Sequence, residues 1–132
     1  MEYLIGLAVA LAVIGLAAGV GFGRDRSFAP TVLIVVAHYY VLYAILGGGG
    51  SVLVIESLIA SAFLLAAVIG FKMSPTLVAG AMVGHGVFDM VHGSLIHNPG
   101  LPVYWPGFCM AFDIGYGAWL VALLVRRRQM VL

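Results

Sequence analysis

Five long apolar stretches occupy almost the whole of this 132-residue chain, and only short polar, glycine-rich or proline-rich breaks separate them. Hydrophobic residues make up 64% of the sequence and charged residues 8%. A soluble domain carries about a quarter charged residues, and a membrane-crossing helix needs about 20 mostly apolar residues. The pattern therefore predicts an all-α fold, a polytopic membrane protein built as a bundle of five transmembrane helices.

The ends of the apolar stretches give the expected boundaries. One membrane domain, 1–132, should contain spans at about 3–22, 31–46, 52–71, 75–96 and 107–125. The first stretch lacks the basic start of a signal peptide, because Met1 is followed by Glu2 and Tyr3. It is also longer than a typical signal-peptide core. We therefore expect it to be retained as the first span.

The basic residues predict the orientation. They fall in the first loop, in the third loop and after the fifth span: Arg24, Arg26, Lys72 and Arg126–Arg128. With five crossings, all of them lie on one side of the membrane. The positive-inside rule then places the C-terminus in the cytoplasm and the N-terminus outside. These few scattered cations offer no face for nucleic acid, and the single cysteine, Cys109, excludes an internal disulfide.

Six ionisable side chains lie within the predicted spans: His38, Glu56, His85, Asp89, His92 and Asp113. Acids and histidines are costly in hydrocarbon and usually mark functional sites. From the helical rise, the six groups lie between about 6 and 16 Å below the outer ends of their spans. We therefore expect one cluster in the outer half of the bilayer, open or nearly open to the outer face. The first span should contribute no ionisable group to it.

The most specific local pattern is His85, Asp89 and His92, because offsets of four and seven residues share one helix face. Imidazole and carboxylate donors suit zinc, iron or manganese, and a divalent ion would neutralise buried acids. The predicted metal ligands are His38, His85, Asp89, His92 and Asp113. Glu56 is the predicted catalytic base, and Tyr116 a predicted hydrogen-bond partner or proton donor. A metal-free network that hydrogen-bonds across helices or relays protons stays an alternative.

Part of the C-terminal third resembles a block of small multi-pass bacterial membrane proteins. The residues that carry the resemblance are Gly84, His85, Asp89, His92, 103–109, Phe112 and Asp113. It implies that the fourth and fifth spans form one unit, and it brings no known activity. A looser similarity links the cluster to membrane-embedded zinc hydrolases of the alkaline ceramidase and adiponectin receptor type. Those proteins have more spans and another histidine spacing, so only the idea of an intramembrane metal site carries over.

Three functions fit these observations in a multi-pass protein of the bacterial inner (plasma) membrane. The first is a metal-dependent hydrolase or oxygenase acting on a lipid-like or apolar substrate, with segment 98–106 as a lid. The second is a carrier or channel subunit for a metal ion or proton, although no acid or histidine continues the path below His85. The third is a non-catalytic membrane subunit or small-molecule binder.

Two rows of small residues complete the pattern. Gly15, Gly19 and Gly23 repeat at every fourth position in the first span, and Gly80 and Gly84 do so in the fourth. Such rows let helices approach closely. They favour either packing within the chain or a homo-oligomer formed through Gly15, Gly19 and Gly23. The other expected partners are membrane lipids.

Overall fold

The computed structural model describes residues 1–130 and is all-helical. Its five long helices are α1 (Glu2–Val20), α2 (Phe28–Leu46), α3 (Ser51–Met73), α4 (Pro75–Leu95) and α5 (Trp105–Gln129). A short 3-10 turn, Phe22–Arg24, follows α1. The predicted all-helical fold is confirmed, and one helix occupies each of the predicted spans.

Four of the helices, α1, α2, α3 and α5, are long and apolar enough to cross a membrane. The fourth helix, α4, is 21 residues long but has no stretch as apolar as those of the other four, because it carries His85, Asp89 and His92 among many small residues. The length and composition of the other four helices support the prediction that the chain is a membrane protein. The five crossings and their orientation stay predictions.

The helices pack in an order that places α5 between α1 and α4, and α3 between α2 and α4. Glycines allow the closest approaches. A Cβ atom on Gly6 would overlap the carbonyl oxygen of Phe108, and one on Gly117 would lie 2.7 Å from Val83. Helix α5 can therefore lie close to α1 on one side and to α4 on the other.

Four of the five glycines in the predicted small-residue rows do not serve packing among the described residues. A Cβ atom on Gly15, Gly19, Gly80 or Gly84 would meet no described atom within 4 Å, although one on Gly23 would touch Trp119 at 3.5 Å. The open rows leave the predicted homo-oligomer through Gly15, Gly19 and Gly23 as a prediction.

The bundle has two chemically different ends. At one, here called the basic end, lie all six lysines and arginines: Arg24, Arg26, Lys72 and Arg126–Arg128. There the guanidinium group of Arg127 donates to the carbonyl oxygen of Gly23 at 2.8 Å. This bond joins the end of α5 to the turn after α1.

The opposite end, here called the loop end, consists of segments 47–50 and 98–104. The two segments touch through their backbones: a Cβ atom on Gly47 would lie 2.5 Å from the amide nitrogen of Gly100, and one on Gly100 would overlap the carbonyl oxygen of Tyr43. The glycines at 48–50 have φ angles of 102°, 73° and 71°, which other residues rarely adopt. The glycine run thus makes both the turn and the close contact.

A buried apolar core fills the bundle towards the basic end. Its members come from all five helices: Ala10, Leu33, Val36, Ala67, Met82, Phe112 and Tyr116. Along α4, Met82 lies on the basic-end side of His85, so the apolar core separates the predicted polar cluster from the basic end.

Candidate metal centre

Five of the six ionisable side chains in the predicted spans are buried together. None of the five is more than 2% exposed: Glu56, His85, Asp89, His92 and Asp113. They project from α3, α4 and α5 into the space between the apolar core and the loop end. Hydrogen bonds divide them into two groups that one tyrosine connects.

The first group, here called the His85 group, contains His85, Asp89 and Asp113. Nδ1 of His85 lies 2.6 Å from Oδ2 of Asp113 and 3.6 Å from Oδ2 of Asp89. Asp113 reaches this position because a glycine, Gly86, faces α5: a Cβ atom there would lie 3.2 Å from Cβ of Asp113. One candidate ligand atom from each of the three side chains lies within 4.8 Å of the others. The His85 group could therefore hold a metal ion.

The second group contains Glu56, His92 and Asn98. Nε2 of His92 lies 2.8 Å from Oε1 of Glu56, and the Asn98 amide donates to the same oxygen at 3.0 Å. Asn98 also donates to the carbonyl oxygen of Tyr40 at 3.1 Å and accepts from the backbone N–H of Gly100 at 3.2 Å. These bonds tie the loop end directly to the buried carboxylate.

Tyr40 joins the two groups into one network. Its hydroxyl donates to Oδ1 of Asp89 at 2.6 Å, and its ring stacks on His92 with the centroids 4.2 Å apart. The side chain is 1% exposed. Because the Tyr40 hydroxyl bonds to Oδ1, the other carboxylate oxygen of Asp89, Oδ2, faces His85.

Several buried atoms of the network have no hydrogen-bond partner within residues 1–130: Glu56 Oε2, Asp89 Oδ2, His92 Nδ1 and Asp113 Oδ1. Buried polar atoms are almost always paired, and buried carboxylates need a cation or a proton. No lysine or arginine of the described chain forms an ion pair with the network. A divalent cation held by the His85 group would supply positive charge and a partner for the two unpaired aspartate oxygens, Asp89 Oδ2 and Asp113 Oδ1.

His38 lies outside this network. It is exposed, and its Nδ1 lies 2.7 Å from the carbonyl oxygen of Ile34 in its own helix. The buried face of α2 instead carries Leu33, Ala37 and Tyr40. Since successive helical residues are about 100° apart around the axis, His38 points away from the bundle although its depth matches that of the cluster.

The two predicted catalytic residues have different surroundings. Glu56 belongs to the network through His92 and Asn98. Tyr116 lies in the apolar core, with its ring 5.9 Å from that of Phe112, and its hydroxyl has no hydrogen-bond partner within residues 1–130. The catalytic roles of both stay predictions, and that of Tyr116 has no contact to support it.

The network is closed at the loop end, whereas the sequence predicted a cluster open or nearly open to the outer face. All five ionisable members are at most 2% exposed. The predicted lid segment provides part of the cover, because Asn98 is buried and bonded to Glu56. The contact between Gly47 and Gly100 completes the closure. Helical depth indicated the level of the cluster, but it did not indicate how the connecting segments cover it.

Sequence reasoning missed Tyr40 and Asn98. Tyr40 was detectable, because it continues the one-face spacing of Leu33, Ala37 and Ala44. Asn98 is the only asparagine in the chain, which was a weaker signal. Its position beside a proline and a glycine indicated a break in the helix, not a buried contact.

No protein-family model, curated protein sequence or solved structure matches the chain. The comparisons therefore add no family to the resemblances carried by individual residues. The chemistry of the site has to be inferred from its own geometry.

Proposed function

We propose that this chain is an integral membrane protein that binds zinc, iron or manganese through His85, Asp89 and Asp113, and that it is a metal-dependent enzyme acting on a lipid-like substrate. The observation that carries the proposal is the His85 group itself. It offers one imidazole and two carboxylates within 4.8 Å of one another, and each carboxylate retains a buried oxygen without a partner among the described residues. A bound metal ion would activate water or polarise a substrate oxygen.

A five-span topology follows if α4 crosses the membrane with the others. Its polarity does not oppose this, because its polar side is covered by neighbouring helices. Near the basic end, a Cβ atom on Gly70 of α3 would touch Val78. Near the loop end, His92 is bonded to Glu56 of α3. Helix α4 thus runs along α3 for most of its length, and the acids and histidines face the bundle rather than lipid.

The apolar core favours an enzyme over a carrier or channel. A path for ions needs polar groups or water on both sides of a central site. On the basic-end side of His85, the core presents Met82, Leu33 and Ala67, and all three are buried. The only polar atom among the core side chains is the hydroxyl of Tyr116. A site that ends in one half of the bundle suits a reaction better than a passage.

An apolar groove beside the network favours a lipid-like substrate. The groove has a volume of about 310 Å³ and lies between α1, α2 and α5. Its lining includes Val36, one turn from Tyr40, and Cys109, one turn from Asp113. An acyl chain in this groove would therefore contact residues one helical turn from Tyr40 and Asp113. Glu56, with its free Oε2, would be the base.

Elemental analysis of the detergent-purified protein tests the metal site. We expect stoichiometric metal in the wild type and background metal in the His85→Ala and Asp113→Asn variants. His38→Ala is the matched control, since it removes an exposed imidazole from outside the network. Unchanged metal in His85→Ala, or an equal loss in His38→Ala, would contradict the proposal.

The enzymatic part needs a separate measurement. Wild-type protein in nanodiscs should convert ester- or amide-linked lipids, followed by mass spectrometry, and chelation should stop the conversion until metal is restored. Asp89→Asn should abolish the conversion while the helical content stays unchanged. If metal binds but no lipid is converted, the protein is a metal-binding membrane protein without this activity.

A further inference from the structure

A recessed cavity at the basic end has a composition unlike the rest of the surface. Its volume is about 130 Å³, and three arginines line it: Arg24, Arg26 and Arg127. Its apolar lining comes from α2, α4 and α5: Ala29, Pro30, Val78, Leu120, Leu123 and Leu124. Three arginines and a largely aliphatic set of side chains thus line one small cavity.

The positive charge of these arginines is not neutralised within residues 1–130. Arg26 and Arg127 donate to the carbonyl oxygens of Phe71 and Gly23, which carry no net charge. The guanidinium group of Arg24 has neither a hydrogen bond nor an ion pair within the same range. The arrangement leaves the cavity strongly electropositive.

The only acid that lines the cavity, Asp25, is engaged elsewhere. Its Oδ1 accepts hydrogen bonds from the backbone N–H of Ser27 at 2.9 Å and from the Ser27 hydroxyl at 2.8 Å. The backbone bond first, and then the hydroxyl, lower the pKa of the Asp25 carboxyl below its usual range. Asp25 is therefore ionised near neutral pH, but it pairs with Ser27 and not with the arginines.

A second cavity lies against the same arginines on the α1 side. It has a volume of about 440 Å³ and shares Arg24, Leu123 and Arg127 with the first. Val20 and Trp119 add apolar surface to it. Arg24 and Arg127 therefore line both recesses, together with aliphatic and aromatic side chains.

We propose that this pair of cavities binds an anionic phospholipid, with its phosphate on Arg24 and Arg127 and an acyl chain along the leucines of α5. Guanidinium groups bind phosphate oxygens through paired, charge-assisted hydrogen bonds. Anionic lipids are abundant in the cytoplasmic leaflet, which the basic end faces in the orientation predicted from the basic residues. The inference depends on the membrane insertion proposed above, but not on the metal site or on any enzymatic activity.

The positions of the cations distinguish a specific lipid site from general electrostatic attraction between the basic end and anionic lipids. Lys72, Arg126 and Arg128 lie at the same end but line neither cavity. If only the overall field mattered, each of the six cations would contribute about equally. A specific site instead requires that Arg24 and Arg127 matter far more than Arg126.

Native mass spectrometry of the full-length protein in detergent tests the proposal. The probes are phosphatidylglycerol, phosphatidylcholine with the same acyl chains, and inorganic phosphate. We expect the wild type to retain phosphatidylglycerol about tenfold better than phosphatidylcholine, the size of one good charge-assisted contact. Inorganic phosphate should not displace phosphatidylglycerol, because inorganic phosphate has no acyl chain to pack against the leucines of α5.

The variant pair is Arg24→Gln and Arg126→Gln, which make the same change in net charge at the same end. Arg24→Gln should lose most of the preference for phosphatidylglycerol, and Arg126→Gln should keep it. Arg24 makes no side-chain hydrogen bond within residues 1–130, so its substitution should leave the fold intact. Circular dichroism checks that the helices are intact, and metal content checks that the site towards the loop end is unchanged.

Three results would overturn the proposal. They are equal retention of the two lipids, equal losses in the two variants, and full displacement of the lipid by inorganic phosphate. None of these results bears on the metal content of the wild type, so failure of the lipid site is distinguishable from failure of the proposed metal site.

Discussion

The two halves of this bundle are built on the same helices and are buried to the same degree, yet their interiors differ completely. The half towards the loop end contains a hydrogen-bonded network of acids, histidines, Tyr40 and Asn98. The half towards the basic end contains an apolar core with one hydroxyl, that of Tyr116. Burial alone therefore does not distinguish a site from a core. The two halves differ in the acids and imidazoles of the network, which have four unpaired buried atoms among the described residues, whereas the core has one unpaired hydroxyl.

The difference also determines what stabilises each half. In a bilayer, apolar side chains gain little from leaving lipid, so the apolar core depends on close packing. The polar network depends on every donor and acceptor finding a partner. Four substitutions distinguish the two halves, from the largest expected effect to the smallest.

Gly100→Ala should have the largest effect, because the new Cβ atom would overlap the carbonyl oxygen of Tyr43 and crowd Gly47. We expect a loss of about 3 kcal/mol in the free energy of unfolding, measured by denaturation in detergent. Gly93→Ala is the control, since a Cβ atom there meets nothing within 4 Å and alanine favours a helix by about 0.5 kcal/mol. Equal stability of the two variants would show that the loop end is not closed by this contact.

Met82→Ala tests the apolar core. Removing this fully buried side chain leaves a cavity and should cost about 2 kcal/mol. The metal content should stay at the wild-type level, because Met82 is not part of the network. Loss of metal without loss of stability would mean that the core and the network are not separate units.

Tyr40→Phe tests the link between the two groups of the network. Loss of the hydroxyl frees Oδ1 of Asp89 and should weaken metal binding about tenfold, as for other residues that orient ligands. Competition with a chelator of known affinity measures this. Tyr39→Phe is the matched control, because Tyr39 is exposed and lines the apolar groove. An unchanged affinity in Tyr40→Phe would remove the positioning role of Tyr40.

Tyr116→Phe should have the smallest effect. Its hydroxyl is buried without a partner among the described residues, so its removal should raise stability by up to about 1 kcal/mol. Metal content and lipid conversion should not change. A fall in conversion with normal metal content would instead support the catalytic role predicted for Tyr116 from the sequence.

The sequence was sufficient for the helices and for most of the network. Apolar stretches ended by charged residues, glycines or prolines predicted each helix, because these residues end helices for simple physical reasons. The spacing of His85, Asp89 and His92 predicted one face of α4, and helical rise predicted that Glu56 and Asp113 would reach a similar level. Both inferences need only the regular geometry of one helix at a time.

The remaining features depend on how helices rotate against each other. Depth does not give the direction of a side chain, so His38 was placed in the cluster although it faces outwards. Tyr40 and Asn98 enter the network only because α2 and the loop end pack against α4. Gly15 and Gly19 likewise contact no other helix among the described residues. A short repeat of small residues predicts close helix packing but does not identify the helix that packs there.

The most direct test of the account is X-ray absorption at the metal edge of the purified protein, in the wild type and in Asp89→Asn. The account predicts a bound divalent metal with nitrogen and oxygen neighbours at about 2.0–2.2 Å. In Asp89→Asn, at least one oxygen neighbour should be lost or the metal should be absent. A wild-type protein that takes up no metal, or a spectrum identical in the two proteins, would contradict the assignment of the His85 group as the metal site.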